Sequence, residues 1–438
     1  MARNNLFEKP AFTTWVKYVD DLNAKHPEKP SRMYPTLTKY FDDETLFKLT
    51  DDMKWSEKTK PFATKLEDDW LQAGLQSRKT PEKVLVGLGL GKTTDSLLEN
   101  SLFSHWAKYT AAFNKRYPEE KATMIETLTK KFGDIEVTKM LHTAKSKKWT
   151  KTLATQLESA QMKMWLNNGK STDDVFKLLQ LDKYGNIYHF EDKVLLSAWV
   201  SYMNVFTKEN PNKKDVLLSA LGSRLTDRPL NQILNEAKTF PSMENTAIKI
   251  QTNKIQSYLA SNESPNKVFE LLALDEMGDG ILGTPLFRTW MNYAKDFNKQ
   301  NPNKQVSWFD TLRSENNWKG FQVIDKAMEN PSTVSIGKTV QREWINTWLN
   351  NEKPPKVVFG LLDLNAAGKY TLTNPRFKTW TTYLDEFNQR YPSKTPTVID
   401  GLRSNYDDMN LLAIFKAAKK NPTTAKLTTD LENALINK

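Results

Sequence analysis

The stretch Phe287-Arg288-Thr289-Trp290-Met291-Asn292-Tyr293, followed at a short distance by Pro302, decides how this chain folds. Phe287, Trp290, Ala294 and Phe297 fall at i, i+3, i+7 and i+10, which places them on one face of a helix. Pro302 lacks the N–H that a continuing helix would need and restricts the residue before it, so the helix is predicted to stop near Asn301.

The same pattern, F-x-x-W-x-x-Y, recurs as Phe12, Trp15, Tyr18, as Phe103, Trp106, Tyr109, and as Phe377, Trp380, Tyr383, with Leu196, Trp199, Tyr202 as a variant. The tryptophans are spaced by 91, 93, 91 and 90 residues, and a proline follows each by 12: Pro27, Pro118, Pro211, Pro302 and Pro392. A fixed period of this length marks a tandem repeat, in which each unit closes its core against its neighbours. Trp15, Trp106, Trp199, Trp290 and Trp380 are therefore predicted to be buried anchors of the repeat.

A second apolar element keeps the same period: Val175, Phe176, Leu178, Leu179, Leu181, then Val268, Phe269, Leu271, Leu272, Leu274, then Val358, Phe359, Leu361, Leu362, Leu364, with Val84, Leu85, Leu88, Leu90 as a looser copy. Apolar side chains on adjacent helical positions need cover from two sides, so these helices are placed at the joints between units, with Leu88, Leu178, Leu271 and Leu361 as joint residues. A third element follows each tryptophan by 55 to 59 residues as Trp70-Leu71, Trp165-Leu166, Tyr258-Leu259 and Trp348-Leu349. The expected fold is all-α: an elongated rod of five helical-bundle repeats, residues 1–80, 81–171, 172–264, 265–354 and 355–438.

Composition agrees. The chain has 438 residues, 39% hydrophobic, with 13 Trp among its aromatic residues and no Cys. That is ample for buried cores, and it leaves no disulfide, zinc ribbon or thiol nucleophile. No apolar run reaches the roughly 18 residues of a membrane span. The net charge of +11 points to an acidic partner, and it is unevenly spread. Residues 81–171 carry 15 basic against 9 acidic side chains and 355–438 carry 12 against 8, whereas 172–264 and 265–354 are each balanced at 11 and 11. A binder that tracks a nucleic-acid backbone needs a basic stripe through most units, so nucleic acid is disfavoured, with the two basic units as the alternative.

Catalytic signals are weak. Gly87-Leu88-Gly89-Leu90-Gly91-Lys92-Thr93 resembles a phosphate loop, but three residues separate the outer glycine pair where the Walker pattern has four, and the segment fills the joint-helix register. His26, His105, His142 and His189 have no metal-ligand spacing, and Asp42-Asp43 and Asp68-Asp69 read as helix starts and solvated faces. No catalytic residue, cofactor or metal is expected. The sharpest patch is Lys145, Lys147, Lys148, Trp149 and Lys151, expected to bind a partner's acidic surface with Trp149 as anchor.

The tryptophan and leucine motifs together resemble the WY and LWY tandem-repeat effectors of the oomycete RXLR class, over essentially the whole chain. The W motif matches the five tryptophans, the L motif matches the apolar helices at 84–90, 175–181, 268–274 and 358–364, and the first unit lacks an L motif, as a leading WY unit does. Trp70, Trp165, Tyr258 and Trp348 are assigned to the Y motif, with Leu435 in the last unit. The resemblance implies a secreted, monomeric virulence protein that is translocated into the host plant cell and works there without catalysis. Neither a signal peptide nor an R-x-L-R motif is present in this sequence. Several such relatives recruit host protein phosphatase 2A by imitating a regulatory subunit on its scaffold subunit, bringing phosphoproteins to the catalytic subunit and suppressing immunity or RNA silencing. Under that reading residues 1–171 dock and the three later units select targets.

Overall fold

The computed structural model describes residue 7 and residues 9–182, 190–315 and 321–436. Among the described residues every regular element is an α- or 3-10 helix, as the repeat predicts. The chain forms two compact bodies, Met1–Gln251 and Thr252–Lys438.

Local chemistry sets the helix ends. The Trp290 helix runs Pro285–Gln300, opened by Thr284, whose hydroxyl accepts the Phe287 N–H at 3.2 Å, and by Pro285 at the first position. It ends at Asn301 (φ −126°, ψ 66°), the residue before Pro302. Tyr117, Asn210 and Tyr391 end the Trp106, Trp199 and Trp380 helices in nearly the same conformation, each directly before its proline.

Four tryptophans are sealed in the same way. Their indole N–H groups donate to the carbonyl of the first residue of the apolar helix before them: Trp106 to Pro81 at 2.8 Å, Trp199 to Thr172 at 2.8 Å, Trp290 to Pro265 at 2.9 Å and Trp380 to Pro355 at 2.9 Å. Three positions later a tyrosine hydroxyl donates to the carbonyl just before that helix: Tyr109 to Lys79 at 2.5 Å, Tyr293 to Glu263 at 2.6 Å, Tyr383 to Lys353 at 2.5 Å, and Tyr202 to Lys170. Each W helix thus holds both ends of a short connection in place while burying two aromatic rings. Burial pushes the Tyr109, Tyr202 and Tyr293 hydroxyls up to about 12.

Trp15 departs from this pattern. It is only partly buried and Tyr18 is 62% exposed, and the core face of Pro10–Lys25 is Phe12, Val16 and Val19 instead. Among the described residues no apolar helix precedes it to receive its indole N–H, so the ring rests against Phe12 at a centroid distance of 5.6 Å.

Leu88 holds its expected place, and the other three joint leucines shift by one position. Leu88, Leu179, Leu272 and Leu362 are fully buried, whereas Leu178 and Leu271 are half-buried and Leu361 is 47% exposed. The apolar helices end at Gly87, Leu178, Leu271 and Leu361, and the next leucine caps them from inside the core. The following residue turns left-handed: Gly89 at φ +72°, Gln180 at +54°, Ala273 at +55° and Asp363 at +55°. The phosphate-loop look-alike is therefore a helix exit, with Gly89 where the other copies tolerate strained non-glycine residues.

The third element also shifts in one copy. Counting back from the tyrosine-bonded carbonyl, the residue in register with Trp165, Tyr258 and Trp348 is Gly74, and Trp70 lies one helical turn earlier. Even so, the Trp70 ring reaches Tyr109 at 5.3 Å, matching Trp165 on Tyr202 at 5.6 Å and Trp348 on Tyr383 at 5.8 Å. The last copy is registered instead by its turn threonine: Thr424 donates to Ala418 as Thr333 does to Ala327, so Leu435, eleven residues on, corresponds to Trp344 rather than to Trp348.

Candidate protein-docking surface

The basic cluster sits where Asp134–Lys145 turns into Lys151–Asn167. The turn is held by Thr150, whose hydroxyl donates to the Ala144 carbonyl at 2.7 Å. Thr59, Thr333 and Thr424 make the same bond to Met53, Ala327 and Ala418.

The five residues divide by their partners. Lys145 Nζ meets Glu158 at 2.5 Å, and Lys147 Nζ meets Glu99 at 2.5 Å. The Lys147 ammonium, with the Trp149 indole N–H, holds the Glu99 carboxyl below its usual range. Lys148 and Lys151 are exposed, and no carboxylate lies within ion-pair distance of either among the described residues. Trp149 is 73% exposed.

Lys145 belongs to the repeat. The same 13-residue offset joins Lys54 to Glu67 and Lys419 to Glu432, and in a further copy Lys238 Nζ donates to Gln251 at 2.8 Å. There the partner is a neutral amide, so nothing offsets desolvation and burial pulls the Lys238 amine down to about 8. Of the expected contact cations, then, Lys145 and Lys147 are tied into the fold and Lys148 and Lys151 are available.

Two features lay outside the sequence reading. Trp55, in the equivalent turn before Lys60–Gln76, is 91% exposed. It lines an open groove of about 680 Å³ together with Leu98, Phe103, Lys108 and Leu153. The second is His105, only 3% exposed, with Nε2 at 2.8 Å from Asp51 and Nδ1 at 3.2 Å from Glu67. Lys54 lies 3.2 Å from Asp51 and also pairs with Glu67. Burial raises the Asp51 carboxyl, but hydrogen bonds from His105, Ser101 and Lys54 outweigh it and bring the group down to about 2. Asp51, Glu67 and His105 are metal-ligating residue types with atoms within 4.8 Å of one another. Both ring nitrogens already face carboxylates and an ammonium fills the cation position, so the group reads as an ion network tying three helices together.

The remaining candidates are structural or apart. His26 is exposed beside Glu28, His142 is exposed, and His189 lies outside the described residues. Asp42 caps Asp43–Met53 by accepting the Thr45 N–H, Asp43 accepts from Tyr34 and pairs with Lys79, and Asp69 accepts the Met33 N–H. No described helix is long and apolar enough to cross a membrane.

The family model described as "Effector PexRD54, WY-domain" matches residues 253–294 and 343–384, segments that each run from the third element through a buried tryptophan. An RxLR effector protein of Phytophthora infestans is 43% identical over 442 residues, 99% of this chain and 65% of the relative. The chain is similar along its whole length to WY-domain RxLR effectors. The RxLR effector protein PSR2 of Phytophthora sojae is 33% identical over 438 residues, 98% of this chain and 64% of that relative. The crystal structure of PcRxLR12 aligns over 90% of this chain and 92% of its own chain, at 28% identity and a TM-score of 0.47. The chain thus spans about 65% of the length of the first curated relatives it matches.

Proposed function

We propose that this chain is a secreted virulence protein of the RxLR effector class, translocated into the host plant cell, that works there as a non-catalytic scaffold of five repeats. Its partner is protein phosphatase 2A, met through the phosphatase scaffold subunit in place of a regulatory subunit. Residues 1–171 dock, and 172–438 bring host phosphoproteins to the catalytic subunit. The phosphatase assignment comes from the resemblance of the repeats to effectors that recruit it.

The observation that carries the docking assignment is that two successive turns of the same kind, before Lys60–Gln76 and before Lys151–Asn167, each leave a tryptophan in solvent, with Lys148 and Lys151 uncommitted beside the second. Exposed tryptophan is a strong interface anchor, and unpaired lysines steer association with an acidic surface. The test is a titration of purified plant phosphatase scaffold subunit with the full chain and with a Lys148→Glu, Lys151→Glu double variant. Affinity is expected to fall about tenfold in the variant, mostly through slower association and more strongly at low salt. An unchanged dissociation constant, or no binding by the parent chain, overturns the reading.

A further inference from the structure

We infer that the groove beside Trp55 is a receptor for a linear acidic segment of a partner protein, one that carries a single large apolar side chain flanked by Asp or Glu. The inference rests on the reading of this chain as a docking scaffold and specifies what one part of that scaffold holds.

The groove combines shape, apolar lining and charge. At about 680 Å³ it has the size of a site for one or two side chains, and it lies wholly within the first compact body. Trp55, Leu98, Phe103 and Leu153 supply the lining. Leu98 and Phe103 are already packed in the core, so that part of the surface is fixed before anything binds, whereas Trp55 stands 91% exposed at the edge. A fixed apolar surface beside a free indole suits an inserted aliphatic or aromatic anchor, because the indole loses little conformational freedom on covering it.

Charge selects the flanks. The one carboxylate on the lining, Asp51, is engaged by His105 at 2.8 Å and Lys54 at 3.2 Å. Lys108, also on the lining, is exposed and has no carboxylate within ion-pair distance among the described residues. With Asp51 neutralised, the lining presents the free Lys108 ammonium beside an apolar interior. A nucleic-acid strand fits this poorly: it would put phosphates against an apolar lining that carries a carboxylate and a single free ammonium.

The experiment pans a random peptide library on phage against the full chain, with counter-selection on a Trp55→Ala variant, which removes an exposed ring and leaves the core untouched. Enriched peptides are expected to share one Leu, Phe or Trp among several acidic residues. A labelled synthetic copy should bind the parent chain, lose about tenfold in affinity to Trp55→Ala, and lose about threefold to Lys108→Glu. The absence of enriched peptides, enrichment without acidic residues, affinity indifferent to Trp55→Ala, or displacement of the peptide by single-stranded poly-dT would overturn the inference. The phosphatase titration relies on Lys148 and Lys151, so the two results separate. Peptide capture with a silent titration supports the groove alone, and a positive titration without peptide capture overturns the groove alone.

Discussion

Lys145 Nζ lies 2.5 Å from Glu158 Oε1 across the turn between two helices, and Lys54–Glu67 and Lys419–Glu432 repeat the pair at the same 13-residue offset. The pair latches the helix before the turn to the helix after it, with both Lys145 and Glu158 about one-third exposed or less. Lys145→Glu puts two carboxylates in one place and is expected to cost about 1 kcal/mol. Lys148→Glu, three residues on and without a partner, should leave thermal stability unchanged. Thermal melts of the two variants side by side check this, and equal melting temperatures would remove Lys145 from the latch.

The indole bond to the start of the apolar helix gives a second expectation. Trp380 is fully buried and its N–H satisfies the Pro355 carbonyl. Trp380→Ala should cost about 3–5 kcal/mol through the cavity, and Trp380→Phe about 1–3 kcal/mol, chiefly because a buried carbonyl loses its donor. Trp15→Ala, at a partly exposed ring, should cost clearly less. Hydrogen exchange is the suitable readout, since a chain of repeats need not unfold in one step. Protection should fall in Pro355–Leu361 and Pro375–Arg390 first.

These two cases also show how far the sequence could be read. Tryptophan spacing and the terminating prolines located the helices, because aromatic burial and the missing proline N–H act at single positions. The joint leucines were harder: Leu361 and Leu362 are adjacent and chemically identical, and only the path of the backbone after Leu361 decides which one turns inward. Trp70 misled for a related reason, since its ring reaches Tyr109 from one turn away while the in-register position is the small Gly74, against which the Tyr109 ring packs. Lys145 looked like part of a surface patch because its partner is 13 residues distant, yet the recurrence of lysine and glutamate at that offset in other copies was a usable signal. Trp55 left no such signal: it lies off all three recurring motifs, as Trp149 does, but so do Trp308 and Trp344, which pack against the core.

The close approach of Tyr109 to Gly74 can be tested directly. A methyl group there would stand 2.7 Å from the Tyr109 ring, and one at Gly401 would stand 2.4 Å from the Trp380 ring. Both glycines lie within helices, where alanine by itself would gain up to about 1 kcal/mol. Overpacking against a ring already fixed in the core should outweigh that gain, leaving Gly74→Ala and Gly401→Ala destabilised by about 1–3 kcal/mol. Urea denaturation of each variant would check it, and a stabilised variant would mean that the rings move aside freely.

The ion network around His105 sets a pH dependence whose sign follows from Asp51. Its folded carboxyl titrates near 2, below the ordinary value of 3.8, so in acid the unfolded chain takes up this proton first. The stabilisation is complete above pH 3.8 and is lost as the pH falls through about 2. The shift corresponds to about 2 kcal/mol, carried mainly by bonds from His105, Ser101 and Lys54 working against burial. Asp51→Asn should therefore be less stable than the parent at neutral pH, with the gap narrowing below about pH 4. Urea midpoints for the pair from neutral pH into acid would measure this. A gap that stays constant with pH would mean that Asp51 is not held as an ion between His105 and Lys54.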